Sequence, residues 1–118
     1  DPNSILEASQ EADIPILGIR AVQAGALTSE MDRKPHESGR DIKDFEDYER
    51  AEPFRNLAAE WQITPSVLAY RYALSVEKVS SVILGVKNRN ELLESLDAQS
   101  EGALTQDQID EIDKVLSK

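Results

Sequence analysis

The sequence predicts an α/β fold made mostly of helix, with two short parallel strands. Three observations predict it. Two apolar runs, Ile14–Ile19 and Val79–Leu84, are bounded by Asp13 and Gly85 and read as buried strands. The segments around them carry apolar residues at helical spacing, opened by capping residues. Strands separated by helices pair in parallel through right-handed crossovers.

The elements follow in order. Ser4 with Glu7 three residues on makes a capping-box pattern, and Ile5, Leu6 and Ala12 follow at helical spacing, so a helix is expected over 4–12. Asp13 breaks it, and the first strand follows. Pro15 is tolerated near a strand start, where a ladder bond is dispensable. The stretch from Ala24 to about Lys43 contains Gly25, Pro35, Gly39 and many charges, with no period. It reads as a long loop, a feature usually tied to function or mobility. A short helix is expected over 44–50, with Phe45 and Tyr48 on one face. Pro53 suits the first turn of the next helix, and Phe54, Leu57, Ala58 and Trp61 form its buried stripe.

Thr64-Pro65 starts another helix, with Thr64 as cap and Val67, Leu68, Tyr72 and Leu74 as its apolar face. After the second strand, Asn88 and Glu91 make a cap-like pair, and Leu92, Leu93 and Leu96 carry the helix that follows. Thr105 and Gln108 form a capping box, with Leu104 and Ile109 placed as a hydrophobic staple. Ile109, Ile112 and Leu116 stripe the last helix. Two parallel strands cannot close a sheet, and each keeps an unpaired edge. The chain is therefore expected to be a single partial domain over 1–118, with further strands before Asp1.

Composition excludes several functions. The net charge of −10 repels nucleic acid and anionic membrane, so neither is expected as a partner. No apolar stretch approaches the roughly 20 residues that span a bilayer. Cysteine is absent, which removes disulfides, thiolate catalysis and zinc–thiolate sites. His36 is the sole histidine and stands in the polar loop, so no Ser-His-Asp set can be built around it, and no His–carboxylate pattern has metal-ligand spacing. Tyr48, Tyr70 and Tyr72 lie on helices at packing positions, and Trp61 belongs to a core stripe.

Four stretches then carry a resemblance. Ile19-Arg20-Ala21-Val22-Gln23-Ala24-Gly25-Ala26-Leu27-Thr28 resembles a Tyr-Ser-Pro-Leu-Ala-x-Gly-x-Leu-Thr strand end. Leu68-Ala69-Tyr70-Arg71-Tyr72-Ala73-Leu74-Ser75 is similar to a Leu-Ala-Leu-Arg-Trp-Ala-Leu-Ser helix. Val79-Ser80-Ser81-Val82-Ile83-Leu84-Gly85 matches the strand that follows it. Asn88, Glu91, Leu92, Glu94 and Leu96, and then Leu104-Thr105 to Ile112-Asp113, keep the spacing of the closing helices. In this order they resemble the C-terminal part of the aldo-keto reductases. The resemblance implies a fragment of a (β/α)8 TIM barrel supplying strands seven and eight. It also implies a cytoplasmic oxidoreductase as the full-length parent, reducing a carbonyl by hydride transfer from NADP(H).

Sites in such barrels lie at the C-terminal ends of the strands, here Ile19–Gly25 and Gly85–Arg89. By similarity, Gly85, Lys87, Glu91, Glu94 and Ser95 fall on positions contacting the adenosine end of the cofactor. Gly85 lets backbone approach a ligand closely, and the helix start near Asn88 offers free amides to phosphate. Lys87 and Arg89 add positive charge that suits a 2′-phosphate, hence NADP. The plain alternative is a turn at Gly85, a cap at Glu91 and solvated charges at Lys87 and Arg89.

Arg20 and Gly25 fall on the pyrophosphate and nicotinamide side. There the sequence departs from the pattern: Ile19 stands for the stacking aromatic, Arg20 for Ser and Ala21 for Pro. An Ile covers a ring by dispersion alone, and Arg20 has three readings: pairing with pyrophosphate, filling space by the ring, or a structural ion pair.

The family's Tyr proton donor, with its Lys, His and Asp, belongs to the first half of the barrel. No catalytic residue is expected here, and the chain alone is expected to be inert. Its expected partner is the remainder of the barrel or a second copy of itself, the latter through exposed strands. Two other readings stand beside it: a small self-associating helical interaction module without a redox role, and a helical binding protein unrelated to the reductases.

Overall fold

The computed structural model describes residues 2–21, 27 and 42–117. The long loop expected over 24–43, including Gly25 and His36, lies almost wholly outside them. The order is α1 (Pro2–Glu11), β1 (Leu17–Gly18), α2 (Ile42–Arg50), α3 (Glu52–Glu60), α4 (Pro65–Leu74), β2 (Ser81–Val82), α5 (Arg89–Glu101) and α6 (Gln106–Leu116). It is the order the sequence predicts. β1 and β2 pair in parallel, Leu17 opposite Ser81 and Gly18 opposite Val82.

The core is helical. Phe54, Leu57 and Ala58 of α3 pack with Leu68 and Ala69 of α4, Leu104 of the α5–α6 turn and Ile112 of α6, and none of these is more than 7% exposed. Leu27, Trp61, Ile63, Tyr72, Ile109 and Val115 close around them half-buried. The α3 stripe is thus the predicted one.

Helix ends follow local chemistry. Thr64 Oγ1 accepts from the Val67 amide, Asn88 Oδ1 from Glu91, and the full capping box forms between Thr105 and Gln108. Ser4, expected as the cap, lies inside α1, which begins two residues earlier, at Pro2. At the C-terminus of α1, the Asp13 amide reaches Gln10 O and the Ile14 amide reaches Ser9 O. At that of α3, Gln62 reaches Ala59 O and Ile63 reaches Ala58 O. Both are the paired bonds of a Schellman turn, and Asp13 and Gln62 accordingly take φ of 56° and 57°.

Four other expectations change. The strands are two residues long and not buried: Ile14, Leu17, Ile19 and Ile83 are 52–70% exposed. No other strand lies beside them among the described residues, so the ladder stops where the two chains diverge. In α4 the buried residues are Ser66, Leu68, Ala69 and Tyr70, whereas Leu74 is exposed. The helix is wedged between α3 and α5, which buries a wide arc instead of one stripe. In α5 only Ala98 is buried, and Leu92, Leu93 and Leu96 are 46–50% exposed. The helix turns its small and polar side to α4. Leu116 is likewise exposed, and Val115 takes its place against the core.

Candidate functional site

Parallel register has a geometric consequence. The chain leaves β1 and β2 at the same edge of the pair, so the turn at Ile19–Ala21 and the segment Ile83–Arg89 emerge side by side. The Ile83 amide donates to Gly18 O at 2.8 Å, extending the ladder to that edge. At the opposite edge the Ile16 amide donates to Ser80 Oγ at 3.2 Å, and the Ser80 amide to Ile16 O at 2.9 Å.

Gly85 opens the segment that joins β2 to α5. A Cβ there would meet nothing within 4 Å, so the chain's own packing does not require glycine and the backbone stays approachable. Gly18 differs, since a Cβ would stand 3.2 Å from Val79 Cγ1.

At the amino end of α5, Lys87, Asn88 and Glu91 are drawn together. Glu91 Oε1 accepts from the Lys87 amide at 3.2 Å, Glu91 Oε2 from Asn88 Nδ2 at 3.5 Å, and Asn88 Oδ1 from the Glu91 amide at 2.9 Å. Lys87 Nζ lies 3.8 Å from Glu91 Oε2. Asn88 therefore caps the helix, and the Glu91 carboxylate reaches back to the Lys87 amide and the Asn88 side chain and lies against the lysine as well. One turn on, Glu94 accepts from Thr64 Oγ1 at 3.1 Å and from Asn90 Nδ2 at 3.4 Å, tying α5 to the cap of α4. Ser95 Oγ donates to Leu92 O at 2.7 Å.

Arg20 leaves β1 in a left-handed conformation, φ 59°, with its side chain exposed. A non-glycine residue held there is uncommon and costs about 1 kcal/mol. Gly25 lies outside the described residues.

Two residues that the sequence reading assigned to packing or capping stand behind this edge. Thr64, read as a helix cap, also holds Glu94. Tyr70 is buried beneath α5, and burial first, then the charges of Glu91 and Glu94, push its phenol above the usual value. Neither pairing is visible in a linear sequence, because the partners stand 21 to 30 residues apart across two elements.

The corner after α5 is fixed separately. Arg71 Nε donates to Gly102 O at 2.9 Å, and Ser75 Oγ accepts from the Leu104 amide at 2.8 Å. Gly102, at φ 80°, ends the helix in a conformation that favours glycine. Among the described residues no group of three or more His, Cys, Asp or Glu is arranged to hold a metal ion. No described helix is long and apolar enough to cross a membrane.

Parallel strands whose carboxyl ends meet the start of a following helix define the ligand-binding edge of an α/β protein. The chain belongs to the aldo/keto reductase family, whose model matches residues 1–117. That family is one of oxidoreductases that generally use a nicotinamide cofactor. No individual curated protein gives a match to this chain.

Proposed function

We propose that the chain is the C-terminal portion of an NADP(H)-dependent aldo/keto reductase barrel, carrying the adenosine-phosphate end of the cofactor site and none of the hydride-transfer machinery. One observation carries the proposal: the parallel register puts the exits of β1 and β2 at one edge, where Gly85, Lys87 and the start of α5 stand together. Helix-start amides and a lysine suit a phosphate. Glu91, Glu94 and Ser95 add the hydrogen-bonding groups that an adenosine needs, and Gly85 leaves room for close approach. Arg20 stands on the pyrophosphate side in this reading, and Gly25, outside the described residues, is assigned to that side by the resemblance alone.

The exposed Ile14, Leu17, Ile19 and Ile83 then form the face that the remaining strands of the barrel would cover. In the complete site a bound nicotinamide cofactor supplies the hydride. The residues here contribute binding and orientation alone, so the chain by itself neither reduces a carbonyl nor holds the cofactor tightly.

Amide-resolved NMR titration of the 118-residue chain with NADP+ and with NAD+ tests this. The expected result is shifts confined to Gly85–Ser95, larger for NADP+, with dissociation constants near the millimolar range, about −4 kcal/mol. Submicromolar binding would contradict an incomplete site. Saturating millimolar NADP+ that leaves the Gly85–Ser95 amides unmoved would overturn the adenosine assignment.

A further inference from the structure

The start of α5 offers donors to an anion, and an anion of the chain's own already takes them. Glu91 stands in the first turn of the helix. Its Oε1 accepts from the Lys87 amide at 3.2 Å, and its Oε2 from Asn88 Nδ2 at 3.5 Å. The Lys87 ammonium lies 3.8 Å from the same Oε2. The Glu91 side chain is 20% exposed and that of Lys87 60%. The carboxylate is therefore the inner partner of the pair and the lysine the outer one.

These are the groups that the cofactor assignment gives to a phosphate. Phosphate and carboxylate make the same demands on an amide and an ammonium. The two anions cannot both be held at full strength, because they share one ammonium and repel each other across a few ångströms. Glu94 stands differently. Its oxygens accept from Thr64 Oγ1 and Asn90 Nδ2, both neutral donors. Of the two acids on this side of α5, Glu91 is the one that engages the lysine.

We infer that Glu91 is a specificity-determining residue of the nucleotide site, whose carboxylate competes with a 2′-phosphate for Lys87 and so limits the preference for a 2′-phosphorylated nucleotide over its 2′-hydroxyl counterpart. This rests on the cofactor assignment and names what sets its selectivity. When a 2′-phosphate binds, Lys87 leaves Glu91 for it, and the carboxylate keeps the Lys87 amide and the Asn88 side chain. That exchange weakens binding of the 2′-phosphorylated ligand alone. A nucleotide with a free 2′-hydroxyl leaves the Lys87–Glu91 pair as it is.

Amide-resolved NMR titration with adenosine 2′,5′-bisphosphate and with adenosine 5′-monophosphate tests it, since the two differ only in the 2′-phosphate. The quantity read is the ratio of the two dissociation constants. Glu91→Gln removes the charge and keeps a side chain that serves at the same helix position. It is expected to raise the preference for the bisphosphate about tenfold, through tighter bisphosphate binding, with monophosphate affinity held within about twofold. In a Lys87→Met background the same substitution should move the ratio by less than about threefold, because the lysine competed for is gone. Amide spectra that match the native chain outside Gly85–Ser95 show that each variant is folded. A ratio unchanged by Glu91→Gln, with both nucleotides still shifting the Gly85–Ser95 amides, would leave Glu91 a helix-end residue and overturn the inference while the cofactor assignment stands. An equal effect with and without Lys87 would overturn the competition for that lysine. If neither nucleotide shifts those amides in any of the chains, the site itself falls, and the role of Glu91 with it.

Discussion

The helical half of the molecule and its strand pair treat the same kind of residue in opposite ways. Phe54, Leu68 and Ile112 are at most 2% exposed, closed in by α3, α4 and α6, whereas Leu17, Ile19 and Ile83 stand 52–70% exposed at the two strands. Both sets are apolar runs with a clear period. The difference lies in what each meets: the helices find one another within the chain, and among the described residues each strand pairs with a single two-residue neighbour. Stability in this chain is therefore a helical property, while its candidate chemistry sits at the strand edge. That separation is what the proposed reading, a site completed by further polypeptide, requires.

The sharpest way to break the comparison is a pair of truncations. Leu68→Ala removes a fully buried side chain and should cost about 2–5 kcal/mol of unfolding free energy. Leu17→Ala, at a position 58% exposed, should cost under about 0.5 kcal/mol. Urea unfolding measures both, and equal losses would mean that the strand face is covered after all.

A smaller effect sharpens the helical side. Tyr72 Oη donates to Asp113 Oδ1 at 2.7 Å, joining α4 to α6. Burial first, then this bond and the carboxylate charge, push the phenol up from 10.0 to about 12. The folded state thus holds the phenolic proton more tightly than the unfolded chain does. Its contribution is full below pH 10 and is lost as pH rises from 10 toward 12. Melting temperatures over that window should fall more steeply for the native protein than for Tyr72→Phe. Identical slopes would remove Tyr72 as the cause.

Much of this was legible in the sequence, and the failures have one origin. Caps are local chemistry, so Thr64, Asn88 and Thr105 were readable from residues three or four apart. The α3 stripe was readable because its partners lie in the same chain. Periodicity reports that a face wants a partner, not that the partner is present. Ile14–Ile19, Val79–Leu84 and Leu92, Leu93 and Leu96 were for that reason expected to be buried and are not. Ser66 and Ala69 were missed as buried residues for the converse reason, since a helix held between two neighbours hides more than one stripe.

The candidate site divides in the same manner. The Asn88–Glu91 pairing is visible as spacing, while the Thr64–Glu94 bond and the burial of Tyr70 under α5 are products of tertiary packing. The left-handed backbone at Arg20 has no residue-type signal at all, because arginine is not a residue that favours it.

Native-state amide hydrogen exchange tests the central claim most directly, since it reads both halves in one experiment. Amides within α3, α4 and α6, such as those of Leu57, Leu68 and Ile112, are predicted to exchange only through global unfolding. The strand amides of Ser81 and Ile83, bonded to Ile16 and Gly18, should exchange at least about a hundredfold faster through local opening. Equal protection of the strand pair and the helical core would contradict it.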